Sequence, residues 1–343
     1  MAYHVTCSTD DNYVQHCMAM LCSLFENNKE YEIIVHLLHS GLSDGNQRIM
    51  SALACRYKGK IVFYNIDPSY FKGVELNPTH TWLSMATYYR FLIPSLVSTD
   101  VDRILYLDCD VIVLKDVSQL YHLELDDYGV AAIQDCTPFD QKHRNAMGLE
   151  MDNRTFCAGV MMINLKYWRE HNSQQKLFDY ARRKREMLRM EDQDVLNFVF
   201  RNKWFLLPYK WGKTPLAVAP VDKAQKWFDI KEFVNEPCIY HYAAFLKPWY
   251  DIWFPDRIFY WKYLKLSGFK EIKETHINIQ TRIRIYKVLV RFLVNKYIRP
   301  FIPDLMEILL KDIFFYCSLI ICIFKPNHLN ELILKRWCQK YSM

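Results

Sequence analysis

Residues 104 to 113 read Ile-Leu-Tyr-Leu-Asp-Cys-Asp-Val-Ile-Val. Apolar residues run up to Asp108 and resume after Asp110. A β-branched, apolar run of this kind predicts a strand covered on both faces. Two carboxylates within it need a reason, because a buried, unpaired charge is costly. Either the strand ends there and the carboxylates face a cleft, or a cation sits between them. Residues two apart on a strand share a side, so Asp108 and Asp110 can turn toward one hard cation such as Mn²⁺ or Mg²⁺.

The sequence on either side alternates strand and helix patterns. Residues 2–7 predict a first strand, Ser8 to Tyr13 form a polar turn, and Val14 to Glu26 has helical spacing. Strands are predicted at 31–39, 60–66 and 128–135, and residues 156–169 read as a strand entering a helix. Helices are predicted over 43–58, 79–97 and 173–188, and another opens near Asp192. This alternation predicts an α/β fold with helices on the faces of one sheet. Its first strand–helix turn then lies at the carboxyl end of the sheet, where such folds bind ligands. No Gly-x-Gly-x-x-Gly follows the first strand and no Gly-x-x-x-x-Gly-Lys-Ser/Thr occurs, which disfavours a nicotinamide dehydrogenase and a P-loop NTPase.

With 51% hydrophobic and 24% charged residues, the 343-residue chain has the composition of a folded globular protein. The 11 cysteines are scattered without a Cys-x-x-Cys pair, which predicts reduced, space-filling thiols. The start lacks the basic and apolar regions of a signal peptide, so a cytoplasmic protein is expected. The net charge of +6 is uneven: residues 276–343 carry 11 Lys and Arg against 4 Asp and Glu, leaving residues 1–275 at −1. The basic helix at 173–188 reads as a solvated face, and no nucleic-acid partner is expected.

Several motifs allow a bland reading. Asp10, Asp11 or Asn12 could simply cap the first helix. Arg90, in "TYYR", could snorkel at the surface. Asp192 and Asp194, in "MEDQD", could serve the dipole of their helix, and His241, in "YHY", could be a core histidine.

Their order along the chain points elsewhere. "YLDCDVIVLKDVSQLY" resembles the Asp-x-Asp segment of nucleotide-sugar-dependent glycosyltransferases, in particular family 8, whose bacterial members include lipopolysaccharide galactosyl- and glucosyltransferases. "STDDNY", "TYYR", "FCAG", "DQDVLN" and "HYAAFLKPW" resemble further motifs of that family, over roughly residues 2 to 265. The resemblance implies a single Rossmann-like type A domain with a mixed central sheet. It also implies a retaining transfer of a hexose, glucose or galactose, from a UDP-sugar to a glycan or lipid-linked saccharide.

Position by position, the resemblance makes Asp108, Asp110 and His241 ligands of Mn²⁺ or Mg²⁺. Ser8, Asp10 and Asn12 hold the uridine. Arg90 lies near the donor sugar and diphosphate, and Ala158 and Gly159 form a small-residue loop. Asp135 faces the donor sugar, Asp192 binds its hydroxyls, and Gln193 approaches the anomeric carbon. Lys247 holds the leaving phosphate. Cys157 stands where the family usually has Asn, and Ala244 where it has Gly. Two other readings stay open: a nucleotide-sugar-binding module without activity, and a metal-dependent phosphohydrolase.

From residue 277 the sequence changes character. "INIQTRIRIYKVLVRFLVNKYIRPFI" sets Arg282, Lys287, Arg291 and Lys296 among apolar residues at helical intervals. Residues 313–324 are uncharged but fall short of the roughly 20 residues a spanning helix needs. A division into a catalytic domain at 1–275 and a basic helical tail at 276–343 is expected. The tail is expected to lie on an anionic membrane surface at the inner face of the cell membrane.

Overall fold

The computed structural model describes residues 2–77, 84–135, 141–149, 154–214, 237–243, 246–252, 254 and 256–293. In chain order the elements are β1 (Tyr3–Ser8), α1 (Val14–Glu26), β2 (Ile33–His39), α2 (Asp44–Arg56) and β3 (Lys60–Asn65). After the 3₁₀ helix Met85–Leu92 come α3 (Ile93–Leu96), β4 (Arg103–Leu107), β5 (Val111–Val113), α4 (Ser118–Tyr121) and β6 (Val130–Gln134). Then follow α5 (Gln141–Met147), β7 (Phe156–Asn164), α6 (Leu165–Glu170), α7 (Ser173–Lys184), α8 (Asp192–Val199), β8 (Trp204–Leu206) and β9 (Ile239–His241).

A seven-stranded sheet runs in the order β3-β2-β1-β4-β7-β6-β8. Its strands are parallel except β7, which pairs antiparallel with both β4 and β6. The mixed α/β sheet expected from the sequence is therefore present. The reversal of β7 places its first residues beside the carboxyl end of β4, with Leu107 opposite Val160. Just beyond, the Asp108 N–H donates to the Gly159 carbonyl at 2.9 Å.

The run from 104 to 113 is not one strand. β4 ends at Leu107, Asp108 to Asp110 make a turn, and β5 leaves the main sheet to pair antiparallel with β9. Ile104 to Leu107 and the whole of β5 are buried, so the apolar signal continues across a change of sheet. The helix expected over 79–97 is also altered. It is 3₁₀ at Met85–Leu92, then α at Ile93–Leu96, with residues 78–83 outside the described residues. Pro94 sits in the first turn of α3, where its missing N–H is tolerated; inside one continuous helix it would remove a hydrogen bond.

One apolar layer joins α1, β1, β2 and β5 with the helix Arg257–Ser267. The other joins the 3₁₀ helix, α6, α7 and α8 to the opposite face of the sheet. α1 packs between the sheet residues and the helix Arg257–Ser267, which explains why Val14 to Phe25 are buried on every side.

The segment read as the start of a tail is docked on this body. The Ile277 N–H donates to Asp251, Arg282 donates to the Asp251 carboxylate at 2.7 Å and to its carbonyl at 2.8 Å, and Ile285 is buried. The charge of Arg282, read from the sequence toward a membrane, is thus spent on Asp251. Residues 294–343, including the apolar stretch 313–324, lie outside the described residues. No helix among the described residues is long and apolar enough to cross a membrane. Among the described residues the cysteines are free, as expected for reduced thiols.

Candidate active site

The Asp108–Asp110 turn, the end of β9 and the start of β7 converge. Asp108, Asp110 and His241 each place a ligand atom within 4.8 Å of the others. His241 Nε2 lies 3.3 Å from Asp110 Oδ1 and 3.8 Å from Asp108 Oδ2. Pairing of Val111 with His241 across β5 and β9 sets this approach. Gly159 makes room for it: a Cβ there would collide with the His241 ring and stand 2.8 Å from Asp108 Oδ2.

These donors suit a divalent ion. Asp110 Oδ1 is buried without a hydrogen-bond partner, which is costly unless something binds it. Two carboxylates and an imidazole match the oxygen and nitrogen preferences of Mn²⁺. Lys247 Nζ donates to Asp110 Oδ2 at 2.6 Å and to the Tyr242 carbonyl at 2.8 Å. Burial would raise the Asp110 carboxyl, but Lys247 and His241 outweigh it and hold it well below the usual range. Burial would lower His241, and Asp110 reverses that and raises it.

Arg90 is not a snorkelling arginine. It is 3% exposed, and its guanidinium donates to Asp108 Oδ1 at 2.8 Å and to the Ala158 carbonyl at 2.8 Å, with Asp192 Oδ2 at 3.1 Å. Its plane lies 4.0 Å from the centre of the Tyr106 ring, a cation–π contact. Asp192 also accepts from Thr87 Oγ1. One turn of 3₁₀ helix thus supplies both Thr87 and Arg90.

Gln193 is held at both ends of its amide. Its Oε1 accepts from the Ala158 N–H at 3.0 Å, and its Nε2 donates to Asp135 Oδ2 at 2.8 Å. Asn197, one turn later on α8, accepts from the Phe156 N–H and donates to the Phe156 carbonyl. Gln193 and Asn197 thereby fasten α8 to the start of β7.

The first loop is less uniform. Asp10 Oδ1 accepts from the Asn12 and Tyr13 N–H groups and so closes the turn before α1, whose N-cap Tyr13 has no side-chain cap bond. Ser8 Oγ is buried without a hydrogen-bond partner, and Asn12 is exposed. Ala244 lies outside the described residues. Sequence reasoning missed Thr87, Tyr106 and Asn197, although spacing could have found them. Tyr106 is two residues before Asp108 on the same side of the strand, and its hydroxyl donates to Asp108 Oδ1 at 2.8 Å. Asn197 follows Gln193 by four, the spacing of one helix face. Glu191 was also missed: it is wholly buried at φ 47°, accepts from the Tyr88 hydroxyl at 2.8 Å, and immediately precedes Asp192.

Burial pushes the Asp192 carboxyl up to about 6, because Arg90 is shared with Asp108 and the Ala158 carbonyl and cannot fully offset desolvation. The sign follows from linkage. Below about pH 4 the group is protonated in folded and unfolded chains alike. Between about pH 4 and 6 the folded chain keeps a proton that the unfolded chain has released, so this group lowers stability as pH rises. The cost is roughly 2 to 3 kcal/mol once complete. Asp192→Asn should remove that slope, so denaturant midpoints should shift toward the variant by this amount between pH 4 and 6.5. A wild-type-to-variant difference that is flat across that range would refute the raised carboxyl.

The fold has counterparts among known proteins. A crystal structure of the galactosyltransferase LgtC in complex with donor and acceptor sugar analogues superposes with a TM-score of 0.66 at 25% identity, over 81% of this chain and 99% of that one. Lipopolysaccharide 1,2-glucosyltransferase of Escherichia coli is 27% identical over 253 residues, 73% of this chain and 74% of its own length. General stress protein A of Bacillus subtilis (strain 168) is 26% identical over 284 residues, 80% of this chain and 97% of its own. The model of glycosyl transferase family 8 matches residues 4–253, which include both carboxylates of the turn, Arg90, the Asp-Gln-Asp helix, His241 and Lys247. The chain belongs to glycosyl transferase family 8 and is a glycosyltransferase.

Proposed function

We propose that the protein moves a hexose, glucose or galactose, from a UDP-sugar to a hydroxyl of a glycan or lipid-linked saccharide, with retention of configuration and dependence on Mn²⁺ or Mg²⁺. The observation that carries the reading is the meeting of Asp108, Asp110 and His241 around the buried Asp110 Oδ1, which meets His241 Nε2 at 3.3 Å but accepts no hydrogen bond, with Lys247 beside it. Relatives named as lipopolysaccharide glucosyl- and galactosyltransferases support this donor class and a role in cell-surface glycan synthesis.

A divalent ion bound by the two carboxylates and His241 would supply Lewis-acid stabilisation of the departing diphosphate. Lys247 adds a point charge to the same leaving group. Ser8, Asp10 and Asn12 line the nucleotide side, with Asp10 also shaping the loop, while Asp135, Asp192 and Gln193 line the sugar side. Arg90 stands near the donor sugar and diphosphate and fixes Asp108 and Asp192 from beneath. Ala158 and Gly159 give the backbone groups and the space that Gln193, Arg90 and His241 use.

Double displacement needs a nucleophile at C1. The amide of Gln193 is held by Ala158 and Asp135 and is a poor one, and Asp192 is tied by Arg90 and Thr87. We therefore favour attack on the face the leaving group departs from. The acceptor oxygen bonds to C1 as the C1–O bond to the β-phosphate breaks, and the acceptor proton passes to the departing phosphate oxygen.

The protein also attaches peripherally to the inner face of the cell membrane through residues beyond the helix Ile279–Leu293. Full-length protein should sediment with anionic vesicles at low salt and be partly released by high salt. Indifference to such vesicles would leave the tail a packed appendage.

The reaction itself is tested by UDP release from a panel of UDP-sugars, with and without Mn²⁺. Asp110→Asn, which keeps the shape of the side chain, should abolish metal-dependent release. Equal wild-type rates in EDTA and in Mn²⁺ would sink the metal reading. Lys247→Ala at saturating Mn²⁺ should cost about 2 to 4 kcal/mol, the scale of losing one preorganised charge contact, and mostly in kcat. A rise in KM with kcat intact would make Lys247 a binding residue only.

A further inference from the structure

We propose that Cys157 is the positioning residue of His241: its sulfur accepts the Nδ1–H of the imidazole and so keeps Nε2, the nitrogen a metal would take, directed at Asp108 and Asp110. The inference rests on the proposal that His241 is a metal ligand, and it assigns the group that orients that ligand.

The ring nitrogens of His241 face different partners. Nε2 lies on the carboxylate side, 3.3 Å from Asp110 Oδ1 and 3.8 Å from Asp108 Oδ2. Nδ1 lies on the other side, 3.6 Å from Cys157 Sγ, a hydrogen-bond separation for an atom as large as sulfur. Both residues are buried. A histidine that ligates a metal through one nitrogen carries its proton on the other, and an acceptor there fixes tautomer and ring orientation. If instead the thiol donated to Nδ1, the proton of the neutral ring would sit on Nε2 and block the ligand position. Metal binding therefore selects the arrangement in which sulfur accepts.

Among the described residues the surroundings fix the ring without supplying a better acceptor. Gly159, two residues along β7 and on the same side as Cys157, provides the bare surface on which the ring lies, since a Cβ there would collide with it. The backbone of His241 is tied by its N–H to the Lys213 carbonyl at 2.8 Å and by the β5–β9 pairing. What remains to set is rotation of the imidazole, and Sγ of Cys157 is the atom that meets Nδ1. Sulfur is a weak acceptor, so this arrangement orients the ligand while polarising it less than a carboxylate would. The consequence is a metal site that exchanges its ion more readily than one backed by a carboxylate.

The test uses the full chain and Mn²⁺ alone, with binding read as loss of the free-ion electron paramagnetic resonance signal. Cys157→Val keeps the buried volume and removes the acceptor; Cys157→Ser keeps an acceptor. Valine should weaken Mn²⁺ binding about tenfold, the lower end of the range for losing a group that orients a ligand, and serine should stay within about threefold of wild type. At saturating Mn²⁺ the valine variant should recover most of its kcat. Valine binding Mn²⁺ as tightly as wild type, or serine and valine falling together, overturns the proposal. A second readout needs no substitution: in the Mg²⁺-loaded wild-type chain, nitrogen-15 spectra should show His241 Nδ1 protonated, and an unprotonated Nδ1 overturns it. A wild-type chain that takes up no Mn²⁺ removes the metal reading and this inference together.

Discussion

The site depends on one buried guanidinium. Arg90 is shut off from water, and desolvating a cation is affordable only where its donors are met. Here Asp108, Asp192, the Ala158 carbonyl and the Thr87 carbonyl accept from it or face it, and the Tyr106 ring covers its face. Those partners come from β4, the turn after it, β7, the 3₁₀ helix and α8. A single planar group therefore fixes the relative positions of five pieces of chain. Lysine could not do this, because a point charge lacks the fork that reaches two carboxylates and a carbonyl in fixed directions.

The first residues of β7 are the counterpart on the backbone side. Phe156 is gripped by Asn197, Cys157 meets His241, Ala158 gives its N–H to Gln193 and its carbonyl to Arg90, and Gly159 bonds Asp108 while leaving space for the imidazole. Four consecutive residues serve four different side chains. Such crowding explains small side chains at Ala158 and Gly159 better than any turn requirement, since neither has a positive φ. Strain appears instead at Glu191, whose φ of 47° starts α8 with Asp192 and Gln193 turned inward. A bulky residue held there at positive φ signals a backbone that its surroundings over-determine.

Much of this was legible in the sequence. The alternation of patterns gave the α/β class, and the motifs named the residues that converge. What sequence could not show was direction. An apolar run across Asp108 to Asp110 reads the same whether it is one strand or two, because burial, not pairing, sets its composition. β5 pairs with β9, more than a hundred residues away, and no local signal marks such a partner. Arg90 was misread by its spacing for a related reason. Periodicity assigns a face, but a charged residue turned inward is recognised only from the carboxylates that meet it, and these come from distant segments. Asp10 does local work that spacing did not show: its Oδ1 closes the turn before α1.

The charges around Lys247 suggest why metal and donor should bind together. Lys247 has one ammonium and two claims on it. In this structure it pairs with Asp110 at 2.6 Å, while the proposed reaction needs it at the leaving phosphate. Asp110, largely shielded from water with its Oδ1 buried, cannot give up its cation cheaply without another taking its place. A divalent ion held by the carboxylates and His241 would be such a replacement, and the Lys247 ammonium could then turn toward the diphosphate. On this reading Asp108, Asp110 and His241 would hold the ion, and its charge beside Asp110 would free Lys247 to complete the anion site. Coupling of this kind is reciprocal. A donor that engages Lys247 leaves Asp110 short of a counter-ion, which strengthens metal binding by the same factor.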